Sequence, residues 1–327
     1  MSLIDALETI RNESDNEYFK GILTNVVADI EAGARFAEAM SKHSDAFSRM
    51  FVSMIEAGET SGSLEQVLAQ MGEFFKRRHQ LQRTIKQAMA YPKFVGGFFV
   101  IVLIGIFGFL VPQFQTIFEK NGAELPPLTV VLVAVSNAVR NWWFITFPVL
   151  TAGIIAFIMW LKTPGGRRKF DEKSLKAPLF GALISKSNTA RFAMTLSVLL
   201  RNGVTLDQSL EITAKTMNNI ILEEAIIEVR RTVIEGNSLY KAISDVNVFP
   251  NLMGKMVKVG EESGALPDML VEVTSYYEDE VDTTVKKISA MVEPALIIAL
   301  GGVVLVVVLG IYLPIFNLSK VAAGGGG

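Results

Sequence analysis

Residue types that support chemistry are absent or scarce in this chain. The 327 residues include no cysteine and only two histidines, His43 and His79. Without cysteine the protein has no disulfide framework and no thiolate metal site. Both histidines lie in charged amphipathic surroundings typical of surface positions, and there is neither a phosphate-binding loop nor a serine-histidine-aspartate arrangement in a strand-turn-helix context. We therefore expect no enzyme, no catalytic or metal-binding residue and no cofactor.

Charge is absent from three long apolar blocks, residues 94–118, 142–161 and 294–318. A helix of about 20 residues spans the hydrocarbon core of a bilayer, so we predict three transmembrane helices. Ionisable side chains inside spans mark ion and proton paths. Their absence disfavours a small multi-span transporter or channel subunit, which remains the rival of another class. No cleavable signal peptide is visible near the N-terminus.

Lysine and arginine concentrate before the first span and after the second, whereas the stretch between those spans contains one of each. The positive-inside rule then predicts a cytoplasmic N-terminus and a C-terminus on the outer side of the membrane. The predicted segments are a cytoplasmic bundle (1–93), a first span (94–118), an outer loop with a short helix (119–141), a second span (142–161), a cytoplasmic linker and bundle (162–293), a third span (294–318) and a tail (319–327).

An internal repeat dominates the sequence. Residues 47–114 align without a gap on residues 249–316, with 16 identities in 68 pairs at an offset of 202, and earlier residues align at 203. The second copy has an additional apolar helix, 192–200, that the first copy lacks. We therefore expect the first bundle to lack its first helix and the sequence to be a shortened form of a longer protein.

The strongest match between the copies is a Gly-Glu-x-Ser-Gly motif. We interpret it as a tight corner between two helices, in which Gly58 and Gly260 take the left-handed conformation that ends a helix. A contact or a bound cation at Glu59 and Glu261 remains the alternative, although two carboxylates alone are a weak metal signal. The corner residues are Gly58, Glu59, Ser61, Gly62, Gly260, Glu261, Ser263 and Gly264.

Apolar residues after each corner recur at spacings of three and four, which is typical of an amphipathic helix. The predicted fold class is therefore an all-α membrane protein, with two cytoplasmic antiparallel helix bundles and three transmembrane helices. Pro92 and Pro294 mark the starts of two spans, and Glu293 lies at the predicted inner edge. We interpret Glu293 either as an interfacial or paired carboxylate or as a contact to another protein subunit.

The copies disagree in charge just before these spans. Residues 73–93 carry six basic residues against one glutamate (+5), whereas residues 275–295 carry two lysines against five acidic residues (−3). The basic set either meets anionic lipid, or the two bundles dock on each other or on one cytoplasmic partner through complementary charge. A net charge of −2 disfavours nucleic-acid binding. The candidate contact residues are Arg77, Arg78, Arg83, Glu278, Asp279 and Glu280.

The paired corners, the Tyr91-Pro92 and Glu293-Pro294 steps and the closing Tyr-Leu-Pro-Ile-Phe-Asn-Leu segment together resemble the inner-membrane platform proteins of type IV pilus and type II secretion machines. The resemblance implies a bacterial inner-membrane hub that couples a cytoplasmic assembly or retraction ATPase to insertion or extraction of pilin or pseudopilin subunits. It further implies contacts with other inner-membrane alignment proteins and a homo-oligomer. The closing segment favours the pilus branch, with the secretion platform as the alternative.

Overall fold

The computed structural model describes residues 2–120, 127–141 and 143–324. Within these ranges the chain is helical between short turns and contains no strand, which confirms the all-α class. It divides into two compact units. The polar unit comprises Met1–Arg83 and Arg168–Thr284, and the apolar unit comprises Thr84–Arg167 and Val285–Gly327.

Short polar side chains define where the first helices of the polar unit begin. Ser2 and Asp5 form a capping box, Asn16 accepts hydrogen bonds from two backbone amides, and Ser48 accepts one. Each cap satisfies amide groups that the first helical turn leaves without partners. The helices are α1 (Leu3–Glu13), α2 (Glu17–Glu31), α3 (Phe36–Ser41), α4 (Arg49–Ser61) and α5 (Leu64–Ala88).

The next helices are rich in apolar residues, and Pro148 lies inside the last of them. Their bounds are α6 (Ala90–Gly105), a π-helical turn (Ile106–Leu110), α7 (Val111–Lys120), α8 (Pro127–Asn141) and α9 (Trp143–Lys162). The helices that follow are α10 (Pro164–Lys176), α11 (Phe180–Arg201), α12 (Leu206–Thr216), α13 (Ile220–Ile234), α14 (Leu239–Asp245), α15 (Asn251–Ser263) and α16 (Leu266–Gly324).

The helices α12 to α16 follow the order of α1 to α5. The first residues of α1 and α12, Leu3 and Leu206, are 203 positions apart, and those of α4 and α15, Arg49 and Asn251, are 202 apart. The offset between equivalent residues therefore changes from 203 to 202 in the connection before α4, in agreement with the sequence alignment. The helix α11 precedes this second series and has no counterpart among the described residues before α1.

The core of the polar unit is organised around α11. Its Phe192 ring lies 4.8 Å from the ring of Phe249, while Met194 and Leu199 belong to a buried cluster that includes Met71 and Phe74 of α5. A helix that is buried on most of its faces lies inside a core rather than on a surface. The first and second helix series therefore pack on one shared helix.

The corners require glycine for a different reason from the one expected. The residues with positive φ are Gly62 (70°) and Gly264 (69°), which follow the ends of α4 and α15. Gly58 and Gly260 are buried inside those helices, so the expected left-handed conformation there is wrong. A Cβ at Gly260 would lie 2.8 Å from Leu266 Cα, and one at Gly58 would lie 2.9 Å from a valine methyl of α5. Close approach of the following helix therefore excludes a side chain.

Within the apolar unit, α8 packs against other apolar helices. Ser136 Oγ donates to the carbonyl of Phe107 in the π-helical turn at 2.5 Å. Thr129 Oγ1 donates to the carbonyl of Gly310 at 2.7 Å, and a Cβ at Gly310 would overlap Leu132 of α8. The small residue therefore lets the two backbones approach closely.

Two helical stretches of the described residues are long and apolar enough to cross a membrane, Leu64–Thr116 and Leu266–Gly310. The predicted second span coincides with α9, apart from Trp142, which lies outside the described residues. Residues 121–126 of the predicted periplasmic loop and residues 325–327 of the predicted tail also lie outside them.

Candidate functional site

The three basic candidate residues occupy different environments on α5. Arg77 Nε donates to Glu73 Oε1 at 3.0 Å, one helical turn earlier. Arg78 is partly buried and lines a small cavity with Arg191 of α11, whereas Arg83 is exposed. The basic stretch is therefore divided between the protein interior and the solvent-facing side.

The acidic candidate residues on α16 are divided in the same way. Glu280 is bound to Lys186 of α11, whose Nζ lies 2.6 Å from Glu280 Oε2 and 3.0 Å from Thr284 Oγ1. Glu278 is partly buried and Asp279 is exposed. Glu280 thus contributes to joining α16 to α11, and the other two carboxylates face elsewhere.

The basic and acidic helices line one open cleft of about 530 Å³ in the polar unit. Four residue pairs on its walls are separated by the repeat offset of 202 positions, so equivalent positions of the two series face the same space. At two of these pairs, Lys76 with Glu278 and Arg77 with Asp279, a basic residue faces an acidic one. Identical charges there would repel each other. The paired positions are Glu73 and Ser275, Lys76 and Glu278, Arg77 and Asp279, and Gln80 and Asp282.

Electrostatic coupling across the cleft is visible at Glu278. Burial raises the pKa of this carboxyl above its ordinary value, Arg77 lowers it, and Asp279 and Glu73 raise it further. Arg77 therefore acts on Glu278 while it is hydrogen-bonded to Glu73. The cleft, defined by α5 residues 73–81 and α16 residues 275–282, is the candidate functional site.

The two corner glutamates bind backbone amides in the polar unit. Glu59 accepts hydrogen bonds from the first two amides of α3, at 2.7 and 3.0 Å. Glu261 accepts from the first two amides of α14, at 2.6 and 2.8 Å. A carboxylate at the positive end of a helix is favourable. These contacts account for the glutamate in both copies without a cation.

The other candidate residues have local structural positions. Ser61 Oγ and Ser263 Oγ each donate to a carbonyl four residues earlier, at 2.8 and 2.6 Å. Pro92 lies in the first turn of α6, where a missing amide proton costs little. Pro294 lies inside α16, which continues through it, and the side chain of Glu293 lies outside the described residues.

Sequence reasoning missed the residues that join the two helix series. Arg49 of α4 binds Glu211 of α12 at 2.9 Å, and Asn202 donates to Gln70 at 2.8 Å. Lys186 was missed as well, although a single lysine at the start of a largely apolar helix was a usable signal. The pairings themselves depend on packing between distant segments, which residue spacing does not encode.

Comparison with known proteins matches the chain to one family over most of its length. The family model described as type II secretion system (T2SS), protein F matches residues 1–112 and 192–314. Type IV pilus assembly protein PilC of Thermus thermophilus is 38% identical over 322 residues, which are 97% of this chain and 78% of that protein. PilC of Pseudomonas aeruginosa is 32% identical over 322 residues, covering 98% and 86% of the two chains.

A secretion protein is similar at nearly the same level. Type II secretion system protein F of Pseudomonas aeruginosa is 31% identical over 316 residues, covering 97% of this chain and 78% of that protein. The matches extend through both the polar and the apolar helices, including those that form the cleft. The chain therefore belongs to the family of type II secretion system protein F and type IV pilus assembly protein PilC.

Proposed function

We propose that this protein is the inner-membrane platform of a type IV pilus machine, on which a cytoplasmic hexameric ATPase acts to insert or extract pilin subunits. The observation that carries the proposal is the cleft, in which two equivalent pairs, Lys76 with Glu278 and Arg77 with Asp279, present opposite charge. The sequence contains no nucleotide-binding motif. The energy for moving pilin subunits would therefore come from ATP hydrolysis by the partner ATPase.

Two cytoplasmic bundles and three spans are the architecture that best accounts for the helices. The two segments matched by the family model end at residues 112 and 314, which are 202 positions apart. The second matched segment begins at residue 192, inside the helix that the first series lacks. The 20 residues of α9 reach about 30 Å as a helix, enough for a third span.

The basic residues of α5 and α10 support a cytoplasmic polar unit, with the N-terminus inside and the C-terminus in the periplasm. The polar residues that line the cleft then face the compartment in which the ATPase works. α16 is one helix from Leu266 to Gly324, so it contains both the acidic wall and the last apolar segment. A motor that moved this wall would act on a helix that also crosses the membrane.

The pilus assignment is favoured over the secretion platform by similarity. Four relatives named as pilus assembly proteins are 32–38% identical to this chain, against 28–31% for four named as secretion protein F. The closing Tyr-Leu-Pro-Ile-Phe-Asn-Leu segment favours the same branch. The secretion platform, with pseudopilins as the moved subunits, is the second candidate. Alignment proteins of the inner membrane and further copies of this chain complete the proposed partners.

Charge reversal tests the role of the cleft. Arg77→Glu should weaken co-purification with the cognate ATPase about tenfold, because like charges would then line both walls. Reversing Glu278 to Arg in the same chain should restore most of it. Glu280 is left unchanged, since its bond to Lys186 joins α16 to α11. The matched control is Arg231→Glu on α13, where the side chain is exposed and bound within its own helix.

Association that is unchanged by Arg77→Glu in low and moderate salt would exclude the cleft as the docking surface. Photo-crosslinkers at Arg83 and Asp279, which are both exposed, should capture the ATPase in cells, and one at Arg231 should not.

ATP hydrolysis should be absent from the purified protein and appear when the partner ATPase is added. Pilus assembly that is normal in a deletion strain, together with lost solute uptake, would favour the transporter.

A further inference from the structure

The solvent-facing side of α13 carries a stripe of isoleucines. Ile220, Ile227 and Ile234 are seven residues apart, so they lie along one side of the helix. Ile220 is partly buried, whereas 52% of Ile227 and 60% of Ile234 are exposed. α13 buries a different face in the core of the polar unit, with residues such as Leu222 and Val229. The isoleucine stripe is therefore a second apolar face of the same helix.

The first helix series lacks this stripe. α2 is the counterpart of α13 at the offset of 203, and both helices have 15 residues. The positions equivalent to the three isoleucines are Glu17, Thr24 and Glu31, and all three are exposed. The bundle therefore does not require apolar residues at these positions. An exposed apolar face that the fold does not require indicates contact with another surface.

Charged residues are arranged symmetrically about Ile227. Glu223 lies four residues before it, and Arg231 lies four residues after it. Ile220 and Ile234 lie seven residues before and after it. The bond that Arg231 makes within its own helix joins exposed side chains and is weak. An antiparallel second α13 would place Glu223 of each copy beside the partner's Arg231, whereas a parallel one would place each charge beside its own equivalent.

We propose that α13 forms a contact between two copies of this chain, paired antiparallel about a two-fold axis at Ile227. A two-fold contact uses the same patch on both copies, so the patch must be complementary to itself. The stripe and its flanking charges meet this requirement. One helix of 15 residues per copy is a small contact. We therefore expect a reversible dimer in the membrane rather than a permanent one.

A lipid surface suits the stripe less well than a second copy does. Helices that lie on anionic lipid carry mostly lysine and arginine beside their apolar face. The charged residues of α13 are instead three glutamates and two arginines. One of those arginines, Arg230, is bound to Asp207 at 2.6 Å. The charge of α13 therefore offers no attraction to anionic headgroups.

The proposal specifies the contact between copies that the proposed function includes, and to that extent it rests on it. The contact itself requires neither the ATPase nor a filament subunit. Arg231→Glu should weaken the dimer and leave co-purification with the ATPase unchanged. Arg77→Glu should do the reverse. These two variants distinguish failure of this proposal from failure of the platform function.

Because the chain has no cysteine, a single introduced cysteine reports the contact directly. Isolated membranes that contain the full-length Ile227→Cys variant are oxidised, and the disulfide-linked dimer is measured on non-reducing gels. Residue 227 meets itself at the two-fold axis, within the reach of a disulfide, so we expect about tenfold more dimer than from a surface cysteine that meets its equivalent only by collision. The matched control is Thr24→Cys, at the equivalent exposed position of α2.

The direction of pairing is tested at the ends of the stripe. Ile234→Cys alone should give little dimer, since its two copies would lie about 21 Å apart along antiparallel helices. Cross-linking should return when Ile220→Cys and Ile234→Cys are expressed together. Efficient cross-linking of Ile234→Cys alone would mean a parallel contact and would overturn the proposal.

Charge reversal gives a second measurement on the same contact. Glu223→Arg in the Ile227→Cys chain should lower the cross-linked fraction about fivefold at limiting oxidation, because it places like charges together at both symmetric pairs. Adding Arg231→Glu should restore most of it. A cross-linked fraction that is unchanged by Glu223→Arg would contradict the antiparallel pairing.

Three further results would overturn the proposal. Equal amounts of dimer from Ile227→Cys and Thr24→Cys would mean random collision. Capture of a different protein in place of a second copy at position 227 would assign the stripe to that protein. Quenching by brominated lipid of a fluorophore attached to Ile227→Cys would assign it to the membrane. Both substituted positions are exposed, so the variants should fold as the wild type does, and circular dichroism checks this.

Discussion

Replacing Glu261 by glutamine should destabilise the polar unit, because this carboxylate completes the start of α14. Its two oxygens accept from the amides of Leu239 and Tyr240 at 2.6 and 2.8 Å, and Ser238 Oγ accepts from the third amide at 3.2 Å. The glutamine retains one acceptor and presents its amino group to the other amide. An unpaired amide costs about 1–3 kcal/mol, and loss of the charge at a helix N-terminus costs about 0.3–1 kcal/mol more.

We therefore expect Glu261→Gln to lower the free energy of unfolding by about 2–3 kcal/mol, which for a unit of this size is a fall in Tm of about 5–10 °C. Circular dichroism at a helical wavelength during heating in detergent measures it. The neighbouring Glu262→Gln is the control, since that side chain is exposed and lies 3.8 Å from Lys258, and should cost less than about 0.5 kcal/mol.

Two results would refute this reasoning. Equal Tm values for the variants at positions 261 and 262 would mean that the amides find other partners. A rise in the wild-type Tm on adding Ca²⁺, lost in Glu261→Gln, would assign the carboxylate to a cation. The hydrogen bonds predict no such rise, since both oxygens already accept from amides.

Three further perturbations test the packing and electrostatics. Gly260→Ala should lower the free energy of unfolding by about 1–3 kcal/mol, because the new Cβ would lie 2.8 Å from the Cα of Leu266. Gly72→Ala has open space at Cβ and should raise the free energy of unfolding by about 0.5–1 kcal/mol. Equal Tm values for the two variants would contradict this reasoning. Ser136→Ala should cost about 1 kcal/mol in micelles by removing its bond to Phe107, and an unchanged Tm would show that bond to be dispensable. The raised pKa of Glu278 means that the folded protein binds more protons than the unfolded one between the ordinary and the raised pKa, so wild type should lose stability relative to Glu278→Gln as pH rises through that window. Parallel Tm profiles of the two proteins from pH 4 to 7 would refute this.

Much of the fold could be predicted because it depends on local residue patterns. The helical class follows from spacings of three and four, and α8 and α9 follow from apolar length between polar or proline-containing segments. The repeat offset alone identifies the equivalent helices of the two series. The conformation of Gly58 could not be obtained in this way, since both a left-handed turn and a close helix contact require glycine.

The candidate site was predictable in composition but not in geometry. Opposite charge at Arg77 and Asp279 follows from the aligned copies, whereas their position on facing walls of one cleft does not, since the same charges also suit contact with lipid or with a partner protein. The assignment of Glu280 to a contact surface did not anticipate its bond to Lys186, 94 residues away. This ion pair depends on the packing of α16 against α11, and local sequence patterns do not predict it.

The sequence by itself determined the helical class, the repeat, the apolar segments and the inversion of charge between equivalent helices, because each depends on residue type and spacing along the chain. Only the tertiary structure decided that equivalent positions share a cleft, that the corner glutamates bind helix amides, and that Ile227 and Ile234 remain exposed on α13. These facts depend on which helix faces pack together. That choice is made by the summed burial and electrostatics of residues far apart in the chain.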